Sequence, residues 1–184
     1  MSLGPNSKTA PRWAAVVLIL LFLSAAEWVI EGQSGVESRV RIDHFGKVSG
    51  NYYRGGQPHD DDYATLAQLG VKAIVDLRDG GPDNEQMRVE QLGMKFYRIP
   101  LSTKKAPSDG AIQRFLEIVN DPANKPVFVH CEDGEERTGV MTAVYRITHD
   151  DWNADKAFAE MQAYHFHGDD VLKHFIYSYA ATKR

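Results

Sequence analysis

Cys131 and Arg137, six positions apart, are the two residues whose types and spacing suit covalent chemistry on an anion. Cys131 is the only cysteine in 184 residues. It follows Val127-Phe128-Val129-His130, a short apolar, β-branched run of the kind that forms a buried strand. From Val140 onward, Met141, Val144 and Tyr145 recur at helical spacing, so the sequence predicts a helix beginning near Arg137. Glu132, Asp133, Gly134, Glu135 and Glu136 then form a strand-to-helix loop. Successive backbone N–H groups on such a loop converge on one point and bind an anion, reinforced by the helix N-terminus. The same field favours the thiolate, the form of cysteine that attacks phosphorus. Arg137 offers a planar fork of donors matched to two phosphate oxygens. Gly134 allows the loop a tight turn, and Gly139 allows the helix to pack closely on the sheet.

His130-Cys131, five further residues, then Arg137-Thr138-Gly139 resembles the signature of the cysteine-dependent protein tyrosine phosphatase superfamily. Tyr53-Arg54-Gly55-Gly56-Gln57-Pro58, Val75-Asp76-Leu77-Arg78 and Ala106-Pro107-Ser108-Asp109 are similar to its compact dual-specificity-like branch in bacteria, fungi and plants. The resemblance spans about residues 40–180, a whole domain. It implies attack by Cys131 on phosphorus, a cysteinyl-phosphate intermediate, and hydrolysis of that intermediate by water without a metal or cofactor. It further implies that Thr138 hydrogen-bonds the cysteine sulfur and that His130 supports the loop.

The general acid departs from the family pattern, in which an aspartate sits on a mobile loop before the cysteine. Here that region reads Leu101-Ser102-Thr103-Lys104-Lys105, with no carboxylate. Asp133 and Glu136 inside the loop are the favoured candidates. Asp109 follows, beside a Ser108 that suits a helix cap. A site with no protein acid would be restricted to substrates with stable leaving groups. Four loop carboxylates, Glu132, Asp133, Glu135 and Glu136, also surround the anion position. At ~8 Å each repels a bound charge by about 2 kcal/mol at an effective dielectric near 20, less where solvent intervenes. That sign favours a phosphotyrosine-type protein or small phosphomonoester over highly phosphorylated inositols. Lys104 and Lys105 offer an offset if their loop reaches the mouth.

The rest of the chain supplies alternating strands and helices. Strands are expected over 40–48, 51–54, 71–77 and 95–99. Helices are expected over 60–69, over 83–92 behind an Asp83/Gln86 capping box, and from Ser108 to Val119. Two more follow, from Asn153 and from about Asp170. The fold class is α/β, a central, mostly parallel sheet flanked by helices. Asp76 and Arg78 are read as a structural pair at a sheet edge. His165, His167, Asp169 and Asp170 read as a polar turn between helices rather than a metal site.

A hydrophobic content of 43% and a charged content of 25% are those of a globular chain, and a net charge of −4 gives no broad basic footprint for nucleic acid. Lys8 and Arg12 precede the uncharged apolar run Ala14–Ala26, and Ser24-Ala25-Ala26 resembles a cleavage site. Residues 1–30 are therefore expected to be a signal peptide or membrane anchor, 31–39 a linker and 40–184 the catalytic domain. That layout predicts export, with the domain periplasmic, otherwise extracytoplasmic, or held at the membrane. Three competing functions share the loop: a non-catalytic phosphate-binding module, a phosphoinositide or inositol phosphate phosphatase, and a sulfur-transfer or arsenate-reducing enzyme. The intact Cys131–Arg137 pair opposes the first, the acidic rim opposes the second, and the lone thiol opposes arsenate reduction.

Overall fold

The computed structural model describes residues 35–81 and 84–183. The chain divides into a unit spanning Met1–Arg39 and a unit spanning Val40–Arg184. The second holds five strands: β1 (Gly46–Ser49), β2 (Tyr52–Gly55), β3 (Ala73–Asp76), β4 (Lys95–Arg98) and β5 (Val127–His130). Six α-helices accompany them: α1 (Asp60–Gln68), α2 (Glu85–Gln91), α3 (Asp109–Asn120), α4 (Glu136–His149), α5 (Ala154–Ala163) and α6 (Asp170–Thr182).

The strand order is β1-β2-β5-β3-β4, with β1 antiparallel to β2 and every other pair parallel. This is the α/β class with a mostly parallel sheet. β2, β3 and β5 are buried along their whole length, as strands covered on both faces must be. Gly55, Asp76 and His130 stand level at the carboxyl ends of β2, β3 and β5. Cys131 is the next residue, at the edge where open parallel sheets bind their ligands.

Helix α4 behind that edge is buried at nine positions, among them Thr138, Val140, Met141 and Val144. It packs into one core with Phe115 and Ile118 of α3, Met161 of α5, and Leu172 and Ile176 of α6. Two of the predicted caps form where expected. Ser108 Oγ accepts from Ala111 N–H at 3.3 Å, and Asn153 Oδ1 accepts from Lys156 N–H at 2.9 Å.

Two elements differ from expectation. The first strand begins only at Gly46, because His44 takes a left-handed backbone (φ 51°) and turns the chain before it. Helix α2 starts at Glu85 behind Asn84, which makes no side-chain cap; the Asp83 of the expected capping box lies outside the described residues. Glu85 is buried, so its tertiary partners replace a local cap in placing that helix end.

The expectation of export and membrane attachment is corrected. Among the described residues no helix is long and apolar enough to cross a membrane. The apolar segment 14–26 lies outside the described residues, as do the expected signal peptide and anchor.

Candidate active site

Four successive carbonyl oxygens of the loop are held from outside by donors from three separate stretches of chain. His130 Nδ1 lies 3.1 Å from the Cys131 oxygen, and the Gln57 N–H donates to the Glu132 oxygen at 2.8 Å. His44 Nδ1 lies 2.7 Å from the Asp133 oxygen, and Arg54 Nη2 donates to the Gly134 oxygen at 2.5 Å. With its carbonyls tied outward, the loop turns its N–H groups to the concave side. Among the described residues none of the backbone N–H groups of Glu132–Arg137 donates to a protein acceptor. That is the anion cradle expected of a strand–loop–helix junction, and the start of α4 lies within it.

Gly134 makes the turn possible. Its φ is 79°, and a Cβ there would come within 2.6 Å of the Gly55 carbonyl carbon and the Gly56 nitrogen. Cys131 is 1% exposed, at the floor of the loop. Arg137 is half-buried, and its Nε is a buried donor without a partner among the described residues. A buried, unpaired donor is unfavourable until an acceptor reaches it, and a phosphoryl oxygen is such an acceptor. Thr138 is fully buried, but its Oγ1 donates to the Gly55 carbonyl at 3.5 Å; no bond joins it to the Cys131 sulfur.

Behind the loop lies a buried ionic cluster. Arg78 Nε and Nη2 reach Asp76 Oδ1 and Oδ2 at 2.9 and 3.0 Å, and Nη2 reaches Glu85 Oε2 at 2.5 Å. Arg98 Nε adds a 2.9 Å bond to Asp76. Tyr63 Oη and Gln57 Nε2 donate to Glu85 Oε1 at 2.9 and 3.2 Å. His130 Nε2 stands 3.1 Å from that same oxygen, close enough for charge attraction but off the axis of a hydrogen bond. Burial pushes the Asp76 carboxyl up, and the Arg78 hydrogen bond with the His130 charge more than reverses this, leaving it below the usual carboxylate range. Glu85 is likewise lowered, its desolvation outweighed by His130 and Arg78. Asp76, Glu85 and His130 are the one trio of metal-ligand types within 4.8 Å of each other among the described residues. Two guanidiniums already occupy the carboxylates, and their charge opposes a cation there.

The rim carboxylates separate into two pairs. Glu132 reaches Arg78 Nη1 at 3.4 Å and Glu135 reaches His44 Nε2 at 3.6 Å. Asp133 and Glu136 have no side-chain partner among the described residues. Asp109 opens α3 and lines a cleft of about 820 Å³ with Ile112, Leu116, Phe175 and Tyr179, apart from the phosphate loop. Lys104 and Lys105 are exposed on the segment that leaves the sheet after Leu101, whose N–H bonds to Leu77 at the same carboxyl edge as Cys131. His165 and His167 fall in the turn between α5 and α6, where the His165 ring packs 4.9 Å from His44.

Sequence reading singled out neither His44 nor Glu85, and took Arg54 and Gln57 only as part of a matching stretch. The available signal was weak: a charged residue beside Gly55-Gly56, and a glutamate at a helix start. Neither marks burial by itself.

Residues 5–176 match the family described as DSP-PTPase phosphatase fused to NAD+ kinase. The chain is 29% identical over 130 residues to the inositol diphosphatase SIW14 of Saccharomyces cerevisiae, covering 67% of this chain and 46% of that protein. It is 25% identical over 127 residues to the dual specificity protein phosphatase TpbA of Pseudomonas aeruginosa, covering 69% of this chain and 57% of that one. A probable chloroplastic NAD kinase 2 of Oryza sativa is 33% identical over 101 residues, which is 52% of this chain and 10% of that protein. The chain thus spans about half the length, or much less, of these relatives. The crystal structure of the SIW14 core catalytic domain superimposes with a TM-score of 0.69 at 26% identity, covering 76% of this chain and 87% of that one.

Proposed function

We propose, from the premise that this chain belongs to the DSP-PTPase phosphatase family, that it hydrolyses phosphate monoesters through a cysteinyl-phosphate. The observation that carries this reading is the cradle itself: Cys131 on the floor, four carbonyls tied outward, and the buried Arg137 Nε without a partner. The Cys131 thiolate attacks phosphorus in line with the ester oxygen, forming the S–P bond as the P–O bond breaks. Loop N–H groups and Arg137 hold the charge that builds on the equatorial oxygens. The leaving oxygen takes a proton from a loop carboxyl, and water then cleaves the S–P bond to release phosphate and the thiolate. Thr138 and His130 act on loop geometry, and no metal or cofactor enters these steps.

Asp133 and Glu136 are our candidates for the acid, because they are the loop carboxylates without an ion-pair partner. Asp109 is not, since it lines a cleft with α6 residues. The preferred substrate is a singly phosphorylated, phosphotyrosine-type protein or small molecule, because the acidic rim repels further charge. A second reading, a diphosphate substrate, is supported by the absence of a carboxylate over 101–105, since a phosphate leaving group departs without an acid. The SIW14 relative bears the name inositol diphosphatase.

The test is turnover by the full chain of p-nitrophenyl phosphate, a phosphotyrosine peptide and an inositol diphosphate, with reductant and a chelator. We expect hydrolysis of the first two that Cys131→Ser abolishes. Loss with Asp133→Asn or Glu136→Gln of roughly 10²-fold on the peptide, and less on the aryl ester, identifies the acid. Turnover that survives Cys131→Ser refutes the mechanism, and a clear preference for the diphosphate selects the second reading.

A further inference from the structure

We propose that Arg54 is an electrostatic positioning residue for the phosphate loop, a buried cation whose counter-charge is the Cys131 thiolate and the bound phosphoryl group. The inference rests on the cysteinyl-phosphate reading above. Arg54 is 0% exposed at the end of β2. One of its nitrogens, Nη2, holds the Gly134 carbonyl, while Nε and Nη1 are buried without a partner. The Tyr164 ring covers the guanidinium at 4.0 Å, and Gly46 makes room for that ring, since a Cβ there would collide with the Tyr164 hydroxyl.

Among the described residues no carboxylate pairs with Arg54. Glu160, whose charge reaches it, is engaged by Arg146 Nη2 at 2.7 Å. Burial accordingly lowers the Arg54 pKa below the ordinary guanidinium value. A site that served packing alone would be better filled by an apolar side chain than by an uncompensated charge. An anion formed or bound at the loop provides the missing compensation.

The other charged groups around Cys131 leave Arg54 this role. Asp76 and Glu85 are balanced by Arg78 and Arg98, with His130 between cluster and loop. Glu132 and Glu135 lie against Arg78 and His44, Asp133 and Glu136 have no side-chain partner among the described residues, and Tyr52 and Tyr164 adjoin Arg54 itself. Among the described residues of the loop and the strands beside it, the buried cationic nitrogens without a carboxylate belong to Arg137 on α4 and Arg54 on β2. Arg54 reaches the loop at the Gly134 carbonyl, and Arg137 stands at its far end at the start of α4.

The test measures the pH dependence of Cys131 alkylation by iodoacetamide, a neutral reagent, in the full chain, in Arg54→Met and in Arg54→Lys. We expect Arg54→Met to react about tenfold more slowly near pH 6 and equally fast near pH 9, and Arg54→Lys to recover most of the loss. A pH dependence unchanged in Arg54→Met overturns the proposal and reduces Arg54 to a tether for Gly134. Failure of the unmodified protein to react below alkaline pH refutes the thiolate reading under Proposed function instead, whatever Arg54 does. If circular dichroism shows Arg54→Met unfolded, Tyr164→Leu substitutes. It admits water to the guanidinium and should slow alkylation about threefold near pH 6; no change there overturns the proposal equally.

Discussion

Two buried arginines flank the phosphate loop and are treated in opposite ways. Arg78, 5% exposed, has two buried carboxylates and a rim glutamate around it. Arg54, 0% exposed, has one carbonyl and an aromatic face. Burial pulls the Arg78 guanidinium down, but bonding to Asp76 and the charge of Asp76 and Glu85 raise it well above the usual value. Burial pulls Arg54 down, and the opposing charges around it, Glu160 and Cys131 among them, do not make up the difference. A charge neutralised by the fold, such as that of Arg78, tightens the scaffold and has little field left for a ligand. A charge left uncompensated weakens the scaffold and projects its field to the one place where an anion arrives.

The contrast breaks first at Asp76. Asp76→Ala would move Arg78 toward the state of Arg54, leaving it only Glu85 and the rim Glu132, and breaking a buried pair costs about 3–5 kcal/mol of stability, read as a lower urea midpoint. If the midpoint barely moves, compensation is not what distinguishes the two arginines. The same groups set the acid response. The carboxyls of Asp76 and Glu85 both titrate lower in the fold than in the unfolded chain. Their stabilisation is therefore full above the ordinary carboxylate range and is lost as pH falls below about 4, through the folded-state values. Asp76→Asn should flatten that acid slope, which denaturation at stepped pH measures.

Arg137→Met sharpens the comparison, because Arg137, like Arg54, carries a buried nitrogen without a partner. It should lower kcat by about 10²–10³-fold with the fold intact, as loss of a transition-state donor does. An equal loss of thermal stability would place Arg137 beside Arg78 instead. Gly134→Ala is the smallest change. A Cβ at a φ of 79°, pressed on the Gly55–Gly56 backbone, should cost about 1–3 kcal/mol in a thermal melt and pull the Gly134 carbonyl off Arg54. Retained stability together with retained activity would show that the loop tolerates movement of that carbonyl.

Much of this was legible residue by residue. The β5–loop–α4 junction follows from Val127–Val129, the period of Val140, Met141 and Val144, and Gly134 at the turn, all of which are short-range signals. Asp76 with Arg78 was legible as a pair; its extension to Glu85, Arg98 and Glu132 was not, because those partners are 9, 22 and 56 residues from Asp76 in sequence. Thr138 was expected on the sulfur and bonds Gly55 instead. The apolar run 14–26 suggested export and membrane attachment; that run lies outside the described residues, among which no helix is long and apolar enough to cross a membrane.

The sequence by itself determined the α/β class, the strand-to-helix placement of Cys131 and Arg137, and the acidic character of the loop, since each depends on residue type and spacing within about twenty positions. Only the tertiary structure decided which way the loop carbonyls face, which rim carboxylates meet a side-chain partner, and that one buried arginine is balanced while the other is not. Those outcomes depend on His44, Arg54, Gln57, Arg78 and Glu85 meeting the loop from distant parts of the chain. Electrostatic partnership inside a protein is a matter of ångströms, and sequence spacing carries no record of distances that only the closing of the sheet creates.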